Sequence, residues 1–377
     1  MMPKLLLVTG EASGDIHGAN LARALQDLDP SVELLGVGGG RMLDVGVSLL
    51  PHVERVDAIG VPGIRQLLKG WKTLRILSRY VRHEQFDAII LIDSPGLNLR
   101  LAKVACKASP HIIYYIAPQV WAWGSRRLHL IRKVVTRILA ILPFEEAYFR
   151  NAGIACHYVG HPLLDDLQSS YDKIRERERL GLKAEGVVIG LLPGSRKREV
   201  RKILPTCLKA IQQIQKQLPA VQVVVAQAHS LSDSIIRGLL GPSEKTIQVL
   251  KGQPNEVMAA SDLLLITSGT ATLQGALIGT PMIIVYRASP LTYQIAKRLV
   301  TIPHIGLVNI LAGKGVVPEL LQDRMTPERI SQEAMCILED PDRQKSMKQE
   351  FQAIRNSLGG PGASRRAAEM ILAEITT

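Results

Sequence analysis

Leu91-Ile92-Asp93-Ser94-Pro95-Gly96-Leu97-Asn98 places a carboxylate at the end of an apolar run. A carboxylate closing a buried strand can take a proton from a hydroxyl, as a general base does. Asp before Ser-Pro-Gly is also a common turn residue, and spacing alone leaves both roles open. Two other stretches suit an anion. In Gly190-Leu-Leu-Pro-Gly-Ser-Arg-Lys-Arg-Glu199, Gly194 lets backbone N–H groups turn toward a ligand, and Ser195 adds a hydroxyl. Arg196 adds a forked cation suited to phosphate oxygens, ahead of a helix whose positive end faces the same way. Thr267-Ser-Gly-Thr-Ala-Thr272 is a small-residue turn with hydroxyl and backbone donors, or a plain helix cap. Beside the first loop, Ser268, Gly269 and Thr270 read as the second half of one nucleotide site.

A third loop, Gly10-Glu-Ala-Ser-Gly-Asp15, follows the apolar run Lys4–Thr9, and its glycines recur every four residues through Gly18. That spacing is not GxGxxG, so a dinucleotide fingerprint is not supported. Glu11, Ser13, Gly14 and Asp15 suit an anion or the sugar of a second substrate.

These loops need strands and helices to hold them. Strands are expected at Lys4–Thr9, Glu33–Gly36, Ala88–Ile92, Ile112–Ile116, Arg137–Leu142 and His157–Val159, with helices such as Gly18–Leu28, Ile64–Arg82 and Arg100–Ala108 between them. The alternation restarts after residue 167, through Val187–Leu191, a helix over Ile203–Gln217, Val221–Ala226, Ile247–Leu250, Leu263–Ile266, a helix from Ala271, and Met282–Tyr286. Strand–helix alternation means a parallel sheet with right-handed crossovers. Two such runs give an α/β chain of two doubly wound, Rossmann-like domains facing across a cleft. Residues 1–166 would form one and 167–345 the other, with a helical tail over 346–377 that packs back on the first domain or is exchanged in a dimer.

With 377 residues the chain can build two cores, and 46% hydrophobic against 21% charged residues excludes disorder. A net charge of +12 points to an anionic partner, while 4% aromatics argue against single-stranded nucleic acid. Cys106, Cys156, Cys207 and Cys336 are far apart and read as reduced packing residues. No run reaches the ~20 apolar residues that cross a bilayer. The segment 61–82 is different: Ile64, Leu67, Leu68, Trp71, Leu74, Leu77 and Val81 recur at helical spacing, and Lys72 and Arg75 stand among bases with no acid. Such a helix either lies in a membrane interface or turns its apolar face to the core. Trp121 and Trp123 are read as packing aromatics, with stacking on sugar or lipid as the alternative. Asp27-Leu-Asp29 closes a surface helix, and the histidines form no HxxxH pair, so no metal is expected.

The motifs GEASGD, Gly38-Gly-Gly-Arg-Met42, IDSPGLN, Tyr114-Tyr-Ile-Ala-Pro-Gln-Val-Trp-Ala-Trp123, Leu142-Pro-Phe-Glu145, LLPGSRKREV, TSGTAT and Asn309-Ile-Leu-Ala-Gly313 occur in one order along the chain. Together they resemble the lipid-A-disaccharide synthases, a family of GT-B glycosyltransferases. The resemblance implies inverting transfer of 2,3-diacylglucosamine from its UDP derivative to 2,3-diacylglucosamine 1-phosphate, releasing UDP, with no cofactor. It implies Asp93 as base, Arg196 at the diphosphate and Asn309 on the donor side. It also implies peripheral attachment to the cytoplasmic face of an inner membrane and a possible homodimer, with no nucleic acid as partner. Two positions depart from the pattern: Gln274 stands where the family usually has Glu, and Lys314-Gly315 where it has Arg-Glu. A carboxylate accepts more strongly from ribose hydroxyls than an amide does. The rival readings are a soluble transferase or epimerase acting on UDP-N-acetylglucosamine and a membrane-bound nucleotide-sugar sensor without catalysis.

Overall fold

The computed structural model describes the chain apart from residues 1, 11, 52–63, 169, 242, 244, 245, 291, 295–301 and 377, and apart from the side chains of 12, 64–69 and 123. Two compact units emerge, Met1–Asp166 with Leu358–Thr377, and Leu167–Lys297 with Ile302–Ser357.

In the first unit, β1 (Lys4–Thr9), β2 (Glu33–Val37), β3 (Ser48–Leu49), β4 (Ala88–Ile92), β5 (His111–Tyr115), β6 (Arg137–Ala140) and β7 (Cys156–Tyr158) form a sheet of order β3-β2-β1-β4-β5-β6-β7. Every pairing is parallel. Strands such as Ala88–Ile92 are buried along their whole length, as a sheet covered on both faces requires. Side chains alternate between two cores. Leu6, Val8, Ile89, Leu91 and Tyr114 meet Leu77, Val81, Leu97 and Leu101 of the helices Ile64–His83 and Pro95–Ala105. Leu5, Leu7, Ile90, Ile92 and Tyr115 meet Leu21 and Leu25 of the helix Ala12–Leu28 and Ala367 and Ile371 of Ala363–Ile375. Period two along each strand produces both layers.

The last helix is fixed at both ends. The Asp165 carboxylate accepts from the N–H groups of Gly362, Ala363 and Ser364 at 2.5, 3.1 and 3.0 Å, filling the donors of its first turn. Near its other end Arg137 Nε donates to Glu374 at 2.6 Å. The preceding helix, Pro341–Ser357, stays with the second unit because Met347, Phe351 and Ile354 are buried there. The chain returns at Leu358 rather than at 346.

The second unit repeats the winding with β8 (Val188–Leu192), β9 (Gln222–Gln227), β10 (Gln248–Lys251), β11 (Leu263–Thr267), β12 (Met282–Tyr286) and β13 (Glu319–Leu321), in the order β10-β9-β8-β11-β12-β13. Here too the pairings are parallel.

Several boundaries differ from the sequence pattern. The helix expected from Arg100 begins at Pro95, whose fixed φ suits a first helical position. Strand β6 stops at Ala140, because the Glu145 carboxylate takes the N–H groups of Ile141 and Leu142 at 3.3 and 3.1 Å. β3 and β13 are too short to show a period. Cys156 and Cys207 pack in the interior as expected, whereas Cys106 and Cys336 are exposed. No described helix is long and apolar enough to cross a membrane.

Candidate active site

In each sheet the first strand lies between the second and the fourth, β2-β1-β4 in one and β9-β8-β11 in the other. Crossovers leave to opposite faces at that point, opening a crevice at the strands' carboxyl ends where ligands bind. All the predicted loops arise there. In the first unit the N–H of Gly10, just past β1, donates to Ser94 Oγ, just past β4, at 3.1 Å. Asp93 is half-buried at the end of β4. Its φ is 49° and that of Ser94 is 47°, while Ile116, past the neighbouring β5, has 61°. Left-handed backbone on residues other than glycine costs on the order of 1–3 kcal/mol each and gathers where function demands it.

The GEASGD glycines have another explanation than an anion. A Cβ at Gly14 would lie 1.9 Å from Thr9 Oγ1, and one at Gly18 would lie 2.7 Å from Met42 Sδ. They let the helix Ala12–Leu28 press against β1 and the short helix Gly40–Asp44. Asp15 is buried, and its carboxylate accepts from the N–H groups of Gly39, Met42 and Arg41 at 2.5, 3.3 and 3.3 Å. That places Asp15 in the fold, holding the Gly38–Met42 loop. Ser13 is exposed, and Glu11 lies outside the described residues.

The second unit distributes its conformations differently. Its left-handed positions here are glycines, Gly194 at φ 111° and Gly269 at 142°. The helices Lys197–Gln217 and Thr270–Ile278 start immediately after these loops and direct two positive ends to one edge of the sheet. A Cβ on Gly194 would lie 3.4 Å from Thr267 Cγ2, so the loops adjoin. Thr267 Oγ1 is buried with no hydrogen-bond partner among the described residues. Ser195 is exposed, and its carbonyl accepts from Ser230 Oγ at 2.9 Å. Arg196 is 41% exposed and meets Glu199 at 3.0 Å. Exposed pairs of this kind are weak, so a phosphate could draw the guanidinium away.

A family model described as lipid-A-disaccharide synthetase matches residues 5–375. The chain belongs to that family. Curated lipid-A-disaccharide synthases from Trichlorobacter lovleyi and Syntrophus aciditrophicus are each 40% identical to it, covering 99% and 98% of this chain and 97% of theirs. This family member is therefore a glycosyltransferase serving lipid A disaccharide synthesis. Solved structures extend the fold. A UDP-GlcNAc 2-epimerase from Neisseria meningitidis bound to UDP-GlcNAc has a TM-score of 0.68 at 14% identity, covering 98% of this chain and 100% of that one. The calicheamicin glycosyltransferase CalG4 has 0.61 at 14%, covering 100% and 98%. The fold is that of GT-B glycosyltransferases and these epimerases.

Within this family member, Asn309 does not line an open surface. It is fully buried, its Oδ1 accepting from the N–H groups of Val316 and Val317 at 2.8 and 2.9 Å and its Nδ2 donating to Val317 O and Glu319 Oε1 at 2.9 Å each. Glu319, missed by the sequence reading because β13 is so short, also accepts from the N–H groups of Ile305 and Gly306 at 3.0 and 3.1 Å. Ser268 Oγ donates to Ile305 O at 2.9 Å, so this network carries the TSGTAT loop. Gln274 donates to Asn255 Oδ1, while Thr270 is exposed.

Trp121 behaves as a packing residue. Its Nε1 donates to Glu145 Oε1 at 2.9 Å, and its ring meets Phe144 edge-on at 5.0 Å. Burial raises the Glu145 carboxyl to about 7, although these donors oppose the shift. Along the helix Ile64–His83, Leu77 and Val81 are core residues, as the core-facing reading expects, while Trp71 is 63% exposed with Lys72 and Arg75 beside it. The side chains of Ile64, Leu67 and Leu68 lie outside the described residues.

Proposed function

We propose that this family member joins UDP-2,3-diacylglucosamine to the 6-hydroxyl of 2,3-diacylglucosamine 1-phosphate, giving a β(1→6) disaccharide 1-phosphate and UDP. The acceptor oxygen forms a bond to the donor's anomeric carbon as the bond to the diphosphate breaks. The hydroxyl proton passes to Asp93, and the electron pair leaves with UDP. One displacement turns an α donor into a β product. A base on the acceptor and donors on the leaving diphosphate are the two aids such a step needs. The observation that carries this reading is that Asp93 and the Gly194–Arg196 and Ser268–Thr270 loops all occupy switch points of their sheets.

Both substrates are acylated and anionic, so the enzyme works at an anionic membrane surface, on the cytoplasmic face, without spanning it. Trp71, Lys72 and Arg75 supply an indole for the interface and two cations for phosphate headgroups. An epimerase would share the fold but would need no acceptor. Incubation with the UDP-diacylglucosamine donor, with and without the acceptor phosphate, separates these readings. UDP release should require the acceptor and yield the β(1→6) product. Release without it, or conversion of the donor sugar alone, would overturn the assignment.

A further inference from the structure

Asp93 is held by its backbone. Its N–H donates to Tyr115 O at 3.2 Å. Its carbonyl accepts twice, from Tyr114 Oη at 2.6 Å and from Asn98 Nδ2 at 2.8 Å. The same Asn98 amide also reaches Ile92 O at 3.1 Å and Val8 O at 3.3 Å, bridging β4 to β1. Asn98 and Tyr114 are both fully buried, and each comes from a different element, the helix Pro95–Ala105 and strand β5. These contacts converge on a peptide with φ of 49°, followed by another at 47°.

Without a tether, two successive left-handed residues relax toward ordinary backbone, and the carboxylate of the first turns with them. We infer that Asn98 and Tyr114 are positioning residues for the transfer reaction, fixing the left-handed Asp93 peptide so that its carboxylate faces the acceptor hydroxyl. This rests on Asp93 being the base. Neither residue touches substrate in this account. Each acts through Asp93. Tyr114 suits the task because its hydroxyl donates to the Asp93 carbonyl from a fully buried site. A misaimed base loses rate without losing binding, because proton transfer depends steeply on geometry.

The test is a kinetic cycle on the full-length enzyme, with the diacylglucosamine substrates in mixed micelles. Tyr114→Phe removes one oxygen and should lower kcat about tenfold while both KM values stay within about twofold. Asp93→Asn measures the base reading by itself. In Asp93→Asn/Tyr114→Phe the second change should cost nothing further, because the group that Tyr114 positions is already disabled. A wild-type kcat in Tyr114→Phe, a loss expressed in KM, or a full additional loss in the double variant would each overturn the inference. Retention of kcat by Asp93→Asn would instead overturn the assignment of the base. Asn98→Ala should follow Tyr114→Phe in kcat if it folds, and Tyr114→Phe decides the matter if it does not.

Discussion

The two switch points solve opposite problems, and both place residues of positive φ there. At the end of β4 the left-handed residues are Asp93 and Ser94, and at the ends of β8 and β11 they are Gly194 and Gly269. A phosphate cradle works through backbone N–H groups, so its awkward positions can be given to glycine, which adopts them freely. A base works through its side chain. Its awkward position must therefore fall on a residue that resists it, and neighbouring groups must hold it there. The first unit invests in tethers, and the second in glycine and cations.

The comparison can be broken in order of expected effect. Arg196→Ala should lower kcat/KM by about 10²–10³-fold, because the proposed role puts this cation at the departing diphosphate. A loss below tenfold would mean that the helix ends and backbone carry the phosphate alone. Next comes acid. Burial holds His17 at about 4 and His161 at about 3, so both stay neutral in the folded first unit. Unfolded histidines take up protons below about 6.5. Their stabilisation is therefore complete above that pH and declines as pH falls, by on the order of 3 kcal/mol for His17 by pH 4. Glu145, raised to about 7, works in the opposite direction between 7 and 4.5. Denaturant midpoints against pH should fall steeply below 6.5 in the wild type and less steeply in His17→Gln. An unchanged slope would show that His17 does not contribute.

A paired substitution examines the backbone itself. Gly194→Ala forces φ 111° on an alanine and brings a Cβ to 2.9 Å from a Glu199 carboxylate oxygen, so stability should fall by about 1–2 kcal/mol. Ser94→Gly loses the hydrogen bond from Gly10 but relieves strain, so it should stay within about 1 kcal/mol of wild type. Equal costs in thermal unfolding would remove the contrast.

Much of the fold was legible because buried parallel strands are continuous apolar runs ending in turn residues, as Lys4–Thr9 and Ala88–Ile92 show. The placement of the two loops proposed to cradle phosphate was legible for a related reason: glycine, hydroxyl and arginine stood just past such runs. Gly14 and Gly18 misled because spacing reveals that a side chain is absent without revealing which neighbour fills the room, here Thr9 and Met42. Asn309 was placed on the donor side by the family resemblance alone, and its structural partners stayed hidden because they are mainly backbone groups and a glutamate on a strand of three residues. The tethers of Asp93 were hidden likewise: Asn98 lies one helical turn beyond it, and Tyr114 lies on the next strand.

The central claim is that a carboxylate at the end of β4 accepts the acceptor's proton. Steady-state transfer by Asp93→Asn, measured with both diacylglucosamine substrates, tests it most directly. The amide keeps the shape but not the basicity, so kcat should fall about 10²–10⁴-fold with KM little changed. A variant that turns over at the wild-type rate would contradict the account.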